Sequence, residues 1–380
     1  MTDDAKSPEL ETIAVHAGGE HDPETGAITP PIHLATTYEH GADGTGGHGF
    51  IYVRHGNPTE QRLERALAAI ERGDSALVFS SGVAAGTAVL QTLPAGSHVI
   101  FPLDVYANFR TMGETQFARW NLEASFVDMR EIELVRAAIR PSTRLIWCET
   151  PSNPLLQIVD LRAVAAVSRE AETLMVVDNT FATPVLQRPL ELGADIILHS
   201  TTKYFGGHSD VQGGALVFSS QRSDLSARLR EYRELTGAVA SPFNSWLVLR
   251  GLRSLAPRME RHCRNAVALA TAIDGHERLE AVHYPGLATD PGHEIARRQM
   301  SMFGGMVSIQ VRGGRAAAVA VASRARLFAN ATSLGGAESL IELRIAMEGP
   351  LSRSPENLLR LSVGLEHERD LIADIMQALE

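Results

Sequence analysis

The stretch LMVVDNTFATPVLQRPLELGADIILHSTTKYFGGHSDVQGGALVF, residues 174–218, decides the fold. Three apolar runs within it, LMVVD (174–178), DIILHS (195–200) and GALVF (214–218), are rich in Val, Ile and Leu and too short for buried helices, so they read as strands. The first ends on Asp178. The second runs into His199-Ser200-Thr201-Thr202-Lys203-Tyr204, where hydroxyls and a lysine crowd together. Ligands of open α/β sheets sit outside the carboxyl ends of the strands, so polar residues placed directly after apolar runs are the candidates for chemistry.

Upstream, ALVF (76–79), HVIF (98–101), ASFVD (124–128) and RLIWCE (144–149) also read as strands, with helices expected over 82–92, 130–139 and 160–171. This alternation predicts an α/β fold with a mostly parallel sheet covered on both faces. PTEQRLERALAAIERG (58–73) predicts a helix with Leu63, Leu67 and Ile70 on one face and Gly73 at its end. Residues 1–50 read as an extended arm with little helical periodicity. Downstream, 225–270 is a long helical stretch broken at Pro242; AVHYPGL (281–287), MVSIQV (306–311) and a final helix over 366–379 predict a smaller α+β domain. The expected organisation is an arm over 1–55, a large α/β domain over 56–235 and a C-terminal α+β domain over 236–380.

Composition narrows the function classes. A formal charge of −10 argues against binding nucleic acid or anionic membrane, which needs a basic face. No apolar run reaches the roughly 18–20 residues of a membrane span, and the acidic start MTDDAKSPELET lacks the apolar core of a signal peptide. Cys148 and Cys263 stand far apart in no metal-ligand spacing, so neither a disulfide nor a metal site is expected, and the chain reads as a reduced cytoplasmic protein. Of 35 basic residues only Lys6 and Lys203 are lysines. An arginine cannot form an imine, which draws attention to Lys203.

Four strand ends carry unusual residues. Ser80-Ser81-Gly82-Val83 opens a helix, whose free amides and positive dipole end suit a phosphate. Glu149-Thr150-Pro151-Ser152-Asn153-Pro154 brackets an Asn between prolines. Asp178-Asn179-Thr180 places a carboxylate after an apolar strand, although such an Asp can equally cap a helix. The fourth is the Lys203 segment. Together they meet the needs of pyridoxal phosphate (PLP): an amine to attack its aldehyde, an acid to keep its pyridine nitrogen protonated, and donors for its phosphate.

With these residues the sequence resembles the Cys/Met-metabolism PLP enzymes, the family of the cystathionine γ-synthases, γ-lyases, β-lyases and methionine γ-lyases. The densest match is 177–216, supported by YVRHGNPT (52–59), ETPSNP (149–154), YPGL (284–287), SLGGAESL (333–340) and RLSVGLE (360–366). The resemblance implies PLP fold type I, with a homotetramer built as a dimer of dimers. It implies that Lys203 carries the cofactor as a Schiff base and shuttles protons, that Asp178 pairs with the pyridine nitrogen, and that Asn153 lies near the ring's phenolic oxygen. Ser81, Gly82, Val83, Ser200 and Thr202 would cradle the phosphate, which Tyr52 and Arg54 reach from a neighbouring subunit. Tyr106 would stack on the ring and act in proton transfer. Arg360 would clamp the substrate α-carboxylate, with Ser333 and Asn153 assisting.

Departures from those relatives fall on the substrate side. Ile51 and Thr332 stand where γ-synthases and γ-lyases carry glutamates that hold the distal ammonium of cystathionine. The Tyr106 loop reads YANFR, not glycine-rich, and IELRIAMEGPLSRSPENLL (341–359) is shorter than usual and lacks an HP…TH pattern. The expected activity is therefore a PLP-dependent C–S lyase acting at Cγ or Cβ of a sulfur amino acid, with γ-replacement by a cystathionine γ-synthase or homoserine-ester sulfhydrylase next. A fold-type-I aminotransferase and a catalytically silent PLP-binding protein are the readings from other classes. Gly44-x-Gly46-x-x-Gly49 follows no strand and opens no helix, so it is not read as a dinucleotide fingerprint. His199 and His208 read as structural, and Trp120, Trp147 and Trp246 as core.

Overall fold

The computed structural model describes residues 8–45 and 48–380. Lys6 and Gly46 of the nominal glycine motif lie outside the described residues.

The N-terminal arm is not wholly extended. It contains helix α1 (Leu10–His16), where Leu10 and Ala14, one turn apart, are buried in a core shared with α2 (Pro58–Glu71). A seven-residue helix with only two core contacts leaves too weak a periodicity to stand out in sequence. The end of α2 also differs from expectation. Arg72, not Gly73, takes the left-handed backbone at φ 54, and Gly73 serves close packing, since a Cβ there would lie 2.4 Å from Cγ1 of Val217.

Alternating strands and helices then build the large sheet: β1 (Ser75–Phe79), α3 (Gly82–Gln91), β2 (His98–Pro102), α4 (Ala107–Thr115), β3 (Glu123–Val127), α5 (Ile132–Ala138), β4 (Thr143–Glu149), α6 (Leu161–Glu170), β5 (Leu174–Asp178), a short α7 (Thr183–Leu186), β6 (Ile196–His199) and β7 (Gly214–Phe218). Its order is β1-β7-β6-β5-β4-β2-β3. All pairings are parallel except those of β7, which runs antiparallel to both β1 and β6. The apolar runs have no polar alternation because both faces are covered. Leu77, Phe79, Phe101, Trp147 and Leu198 face α3, α4 and α8 (Ser223–Thr236), whereas Ala76, Val78, Ile197 and Val217 face α2, α9 (Pro242–Leu252) and α10 (Leu255–Ile273). Ile100, Ile146, Cys148 and Val177 pack with α5 and α6.

The helical stretch after 222 is thus three helices, not one with a single break. Helix α10 joins two cores: Met259 and Cys263 belong to the large-sheet core, Ala266 to Ile273 to that of a second sheet. The second sheet holds β8 (Leu279–His283), β9 (Met306–Val311), β10 (Ala329–Asn330), β11 (Leu340–Leu343) and β12 (Leu358–Ser362), in the order β10-β11-β12-β9-β8. Helices α11 (His293–Gln299), α12 (Gly314–Arg324), α13 (Arg344–Met347) and α14 (Glu368–Leu379) complete this part. Register places Glu342 of β11 opposite Arg360 of β12.

Of the three tryptophans only Trp147 is fully buried. Trp120 and Trp246 are half-buried, and Trp246 donates Nε1–H to the carbonyl of Pro30 at 3.0 Å. An indole with a polar partner at the surface carries the same sequence signal as a core one.

Candidate active site

A cavity of about 260 Å³ opens beyond the carboxyl ends of β1, β4, β5 and β6. Its walls bring together Ser81, Gly82, Val83, Tyr106, Asn153, Asp178, Ser200, Thr202, Lys203, Ser333 and Arg360, every residue singled out for it from sequence except Tyr52 and Arg54. Arg54 lies over the ring of Tyr52, 5.1 Å from its centroid, and Tyr52 is 40% exposed. Neither residue lines this cavity.

Lys203 sits in the turn after β6, its amide bonded to the carbonyl of Ser200, and Nζ donates to Oγ of Ser333 at 2.7 Å. Burial, then the neighbouring Arg360 and Arg344, push its amine down to about 8, with Glu342 opposing. Ser333 itself holds a left-handed backbone at φ 88, rare for a residue with a Cβ and a form of strain that clusters at functional sites. Asp178 ends β5 with Oδ1 accepting from the Thr180 amide at 3.0 Å. Burial pushes its carboxyl up; the Thr180 bonds and the charge of His199 pull it back. On the far side of the same strands, fully buried His199 meets fully buried Glu71 at 2.5 Å.

The turn between β1 and α3 is packed against β6 and β7. A Cβ on Gly82 would lie 2.8 Å from Cβ of Ser200, and one on Gly214 only 2.1 Å from the carbonyl oxygen of Ser81. Only glycine lets the first amides of α3, which have no acceptor within the helix, approach the cavity beside Ser200. Oγ of Ser81 accepts from the Ala84 amide at 3.1 Å as the helix cap, leaving its O–H to donate. The Thr202 hydroxyl is already engaged, donating to the carbonyl of Gly213 at 3.2 Å and accepting from its amide at 3.1 Å.

The far wall belongs to the second sheet and to the loop after β4, where both X–Pro bonds flanking Ser152-Asn153 are cis. Arg360 is 3% exposed; Nη1 donates to Oδ1 of Asn153 at 3.0 Å, and Nη2 to the Ser333 carbonyl at 2.9 Å and to Oε2 of Glu342 at 2.7 Å. Tyr106 caps α4, its amide donating to Oε2 of Glu149 at 2.8 Å, and burial pushes its phenol up. Glu149, Thr180, Arg344, Glu348 and Gln212 also line the cavity and were not singled out. Glu149 and Thr180 stand at strand ends already marked as candidates, so position could have found them. Arg344 and Glu348 lie in the segment that departs from the family pattern, where sequence offered no template.

The donor set suits a planar aldehyde cofactor bearing a phosphate. A lysine of lowered pKa, a buried carboxylate and a helix start pressed open by Gly82 converge on one small cavity, and no group of metal ligands occurs among the described residues. A mostly parallel sheet with this convergence at its strand ends defines a fold-type-I PLP-dependent enzyme.

Comparison narrows the class. The model of the family "Cys/Met metabolism PLP-dependent enzyme" matches residues 11–380, and the chain belongs to that family. It is 48% identical to the cystathionine γ-synthase of Mycobacterium tuberculosis over 97% of this chain and 96% of that protein. It is 42% identical to the cystathionine β-lyase of Coxiella burnetii over 98% of both. The crystal structure of metB from Corynebacterium glutamicum superposes with a TM-score of 0.95 at 42% identity, covering 98% of each chain. The protein is thus a PLP-dependent trans-sulfuration enzyme acting on C–S bonds, as the sequence led one to expect. No described helix is long and apolar enough to cross a membrane.

Proposed function

We propose that this chain cleaves the thioether of a cystathionine-like amino acid, with Lys203 as the residue that carries the cofactor and moves the protons. The observation that carries this reading is the convergence of Lys203, Ser333, Asn153 and Arg360 in one cavity, an amine beside a carboxylate clamp. PLP, when bound, supplies the electron sink that makes removal of the Cα proton possible. Asp178 holds the proton on the pyridine nitrogen. The amides of Gly82 and Val83, with the hydroxyls of Ser81 and Ser200, hold the phosphate, and Thr202 braces that cradle through Gly213. Arg360, steadied by Asn153 and the Ser333 carbonyl, orients the substrate through its α-carboxylate. Lys203, its amine pushed down to about 8, would take the Cα proton, whose loss suffices to expel a sulfur at Cβ. For a sulfur at Cγ it would give that proton up to the bound cofactor and then remove a Cβ proton, whose bonding electrons expel the thiolate. Tyr106 stands over the site to protonate the leaving sulfur.

Tyr52 and Arg54 complete the phosphate site of a neighbouring subunit. Their placement away from their own chain's cavity supports a shared site within a homotetramer. Two free, buried cysteines support a cytoplasmic location.

A second reading, γ-replacement forming cystathionine, is favoured by the 48% identity to a protein named cystathionine γ-synthase. Against it as the sole activity, Thr332 lines the cavity and Ile51 is 47% exposed at positions where a glutamate would hold a distal ammonium. Incubation with cystathionine alone, and with O-succinylhomoserine plus cysteine, separates the two. Release of 2-oxo acid and ammonia from cystathionine is the expected result. Formation of cystathionine with no cleavage would replace the first reading by the second, and pyridoxamine phosphate in place of ammonia would overturn both.

A further inference from the structure

Two guanidiniums share one carboxylate oxygen in the cavity wall. Nη2 of Arg360 and Nη1 of Arg344 lie 2.7 and 2.6 Å from Oε2 of Glu342. All three side chains are at most 5% exposed, and both arginines line the cavity that holds Lys203. One anion cannot balance two cations, and the remainder falls to Glu348. Its Oε1 accepts from Nε and Nη2 of Arg344 at 3.1 and 2.8 Å, while its Oε2 accepts the hydroxyls of Ser352 and Ser354, each at 2.6 Å. Glu348 is thereby fully engaged and holds the plane of Arg344 instead of offering a free carboxylate to a ligand.

A guanidinium has five N–H donors. Arg344 spends three of them, which leaves one on each terminal nitrogen without an acceptor among the described residues. Arg360 has its buried Nε unpartnered and one N–H of Nη1 to spare. Both cations line one cavity and are tethered to one oxygen, and the spare N–H groups on the terminal nitrogens of Arg344 and on Nη1 of Arg360 are the donors that a single carboxylate with two oxygens can take up.

We propose that Arg344 is a second arm of the α-carboxylate clamp, with the substrate carboxylate held jointly by Arg360 and Arg344 and with Glu342 positioning both. This rests on the reading of Arg360 given above and extends it to a residue in the segment that departs from the family. The shared tether at Glu342 keeps the two guanidiniums together, so they serve one carboxylate and not the opposite ends of an extended substrate. The consequence is a site selective for amino acids with a free α-carboxylate.

The test uses the PLP-loaded enzyme and two unreactive amines that differ only in that group, L-norleucine and n-pentylamine, with binding read from the change in the cofactor absorption band. In Arg344→Gln, norleucine affinity should fall roughly ten- to hundredfold, the range for losing charge-assisted hydrogen bonds, and the norleucine-to-pentylamine contrast should shrink by the same factor. Arg344→Lys keeps the charge without the fork and should lose part of that contrast, which covers the case where the first variant misfolds. Equal weakening of both amines would show a purely structural role and overturn the proposal. So would unchanged norleucine affinity with weakened cystathionine affinity, which would make Arg344 a reader of the distal carboxylate. Failure of the Arg360 reading itself shows earlier, as a wild-type enzyme that holds PLP but does not prefer norleucine to pentylamine.

Discussion

Under the role proposed for Lys203, its titration should set the pH at which the protein captures its cofactor. An amine at the ordinary value of 10.5 is neutral in about 0.03% of molecules at pH 7, whereas one at about 8 is neutral in about 10%. The reactive fraction is therefore roughly 300-fold larger. The cause is structural: burial first, then the charge of Arg360, with Glu342 opposing and Arg344 adding a smaller push downward. With PLP removed and added back in excess, the rate of return of the absorption band near roughly 420 nm should rise about tenfold per pH unit below pH 8 and flatten above it. A rise that continues through pH 9 towards 10.5 would refute the reasoning. The same shift acts on stability with a defined sign. Between about 8 and 10.5 the folded cofactor-free protein binds fewer protons than the unfolded chain, so its stability should increase with pH across that window, by up to about 3 kcal/mol.

Other perturbations probe the cradle and its support. Arg54→Ala should weaken PLP retention although Arg54 lines no part of its own chain's cavity, as measured by cofactor dissociation; unchanged affinity would remove it from the phosphate site. Gly82→Ala puts a Cβ 2.8 Å from that of Ser200, so denaturation should show a loss of about 1–3 kcal/mol together with weaker PLP binding, and wild-type values in both would contradict the close approach. Glu71→Gln strands His199 in a site where both are fully buried. If the pair is ionic, urea unfolding should show a loss of about 3–5 kcal/mol, and a loss below about 1 kcal/mol would mean it is neutral.

The large sheet was legible because runs buried on both faces, such as LMVV and DIIL, have only one good reading when polar residues and helical stretches punctuate them. The residues after those runs were legible for the same reason: Asp178, Ser200 and Lys203 stand where a strand's end delivers them. Helix α1 and strand β11 were missed. In the first, two buried residues out of seven carry the packing; in the second, Glu342 interrupts LIEL because it turns inward to Arg360. The pairing of His199 with Glu71 and of Arg360 with Glu342 arises between elements that only the fold brings together. That Thr202 spends its hydroxyl on Gly213 is likewise a matter of loop geometry.

A chain with only two lysines, Lys6 and Lys203, makes the central claim testable in one measurement. The PLP-loaded enzyme is reduced with borohydride, digested and mapped by mass spectrometry. The pyridoxyl phosphate mass should appear on the peptide containing Lys203, at close to one per chain. Its appearance on Lys6, or on no peptide in an enzyme that retains activity, would contradict the account.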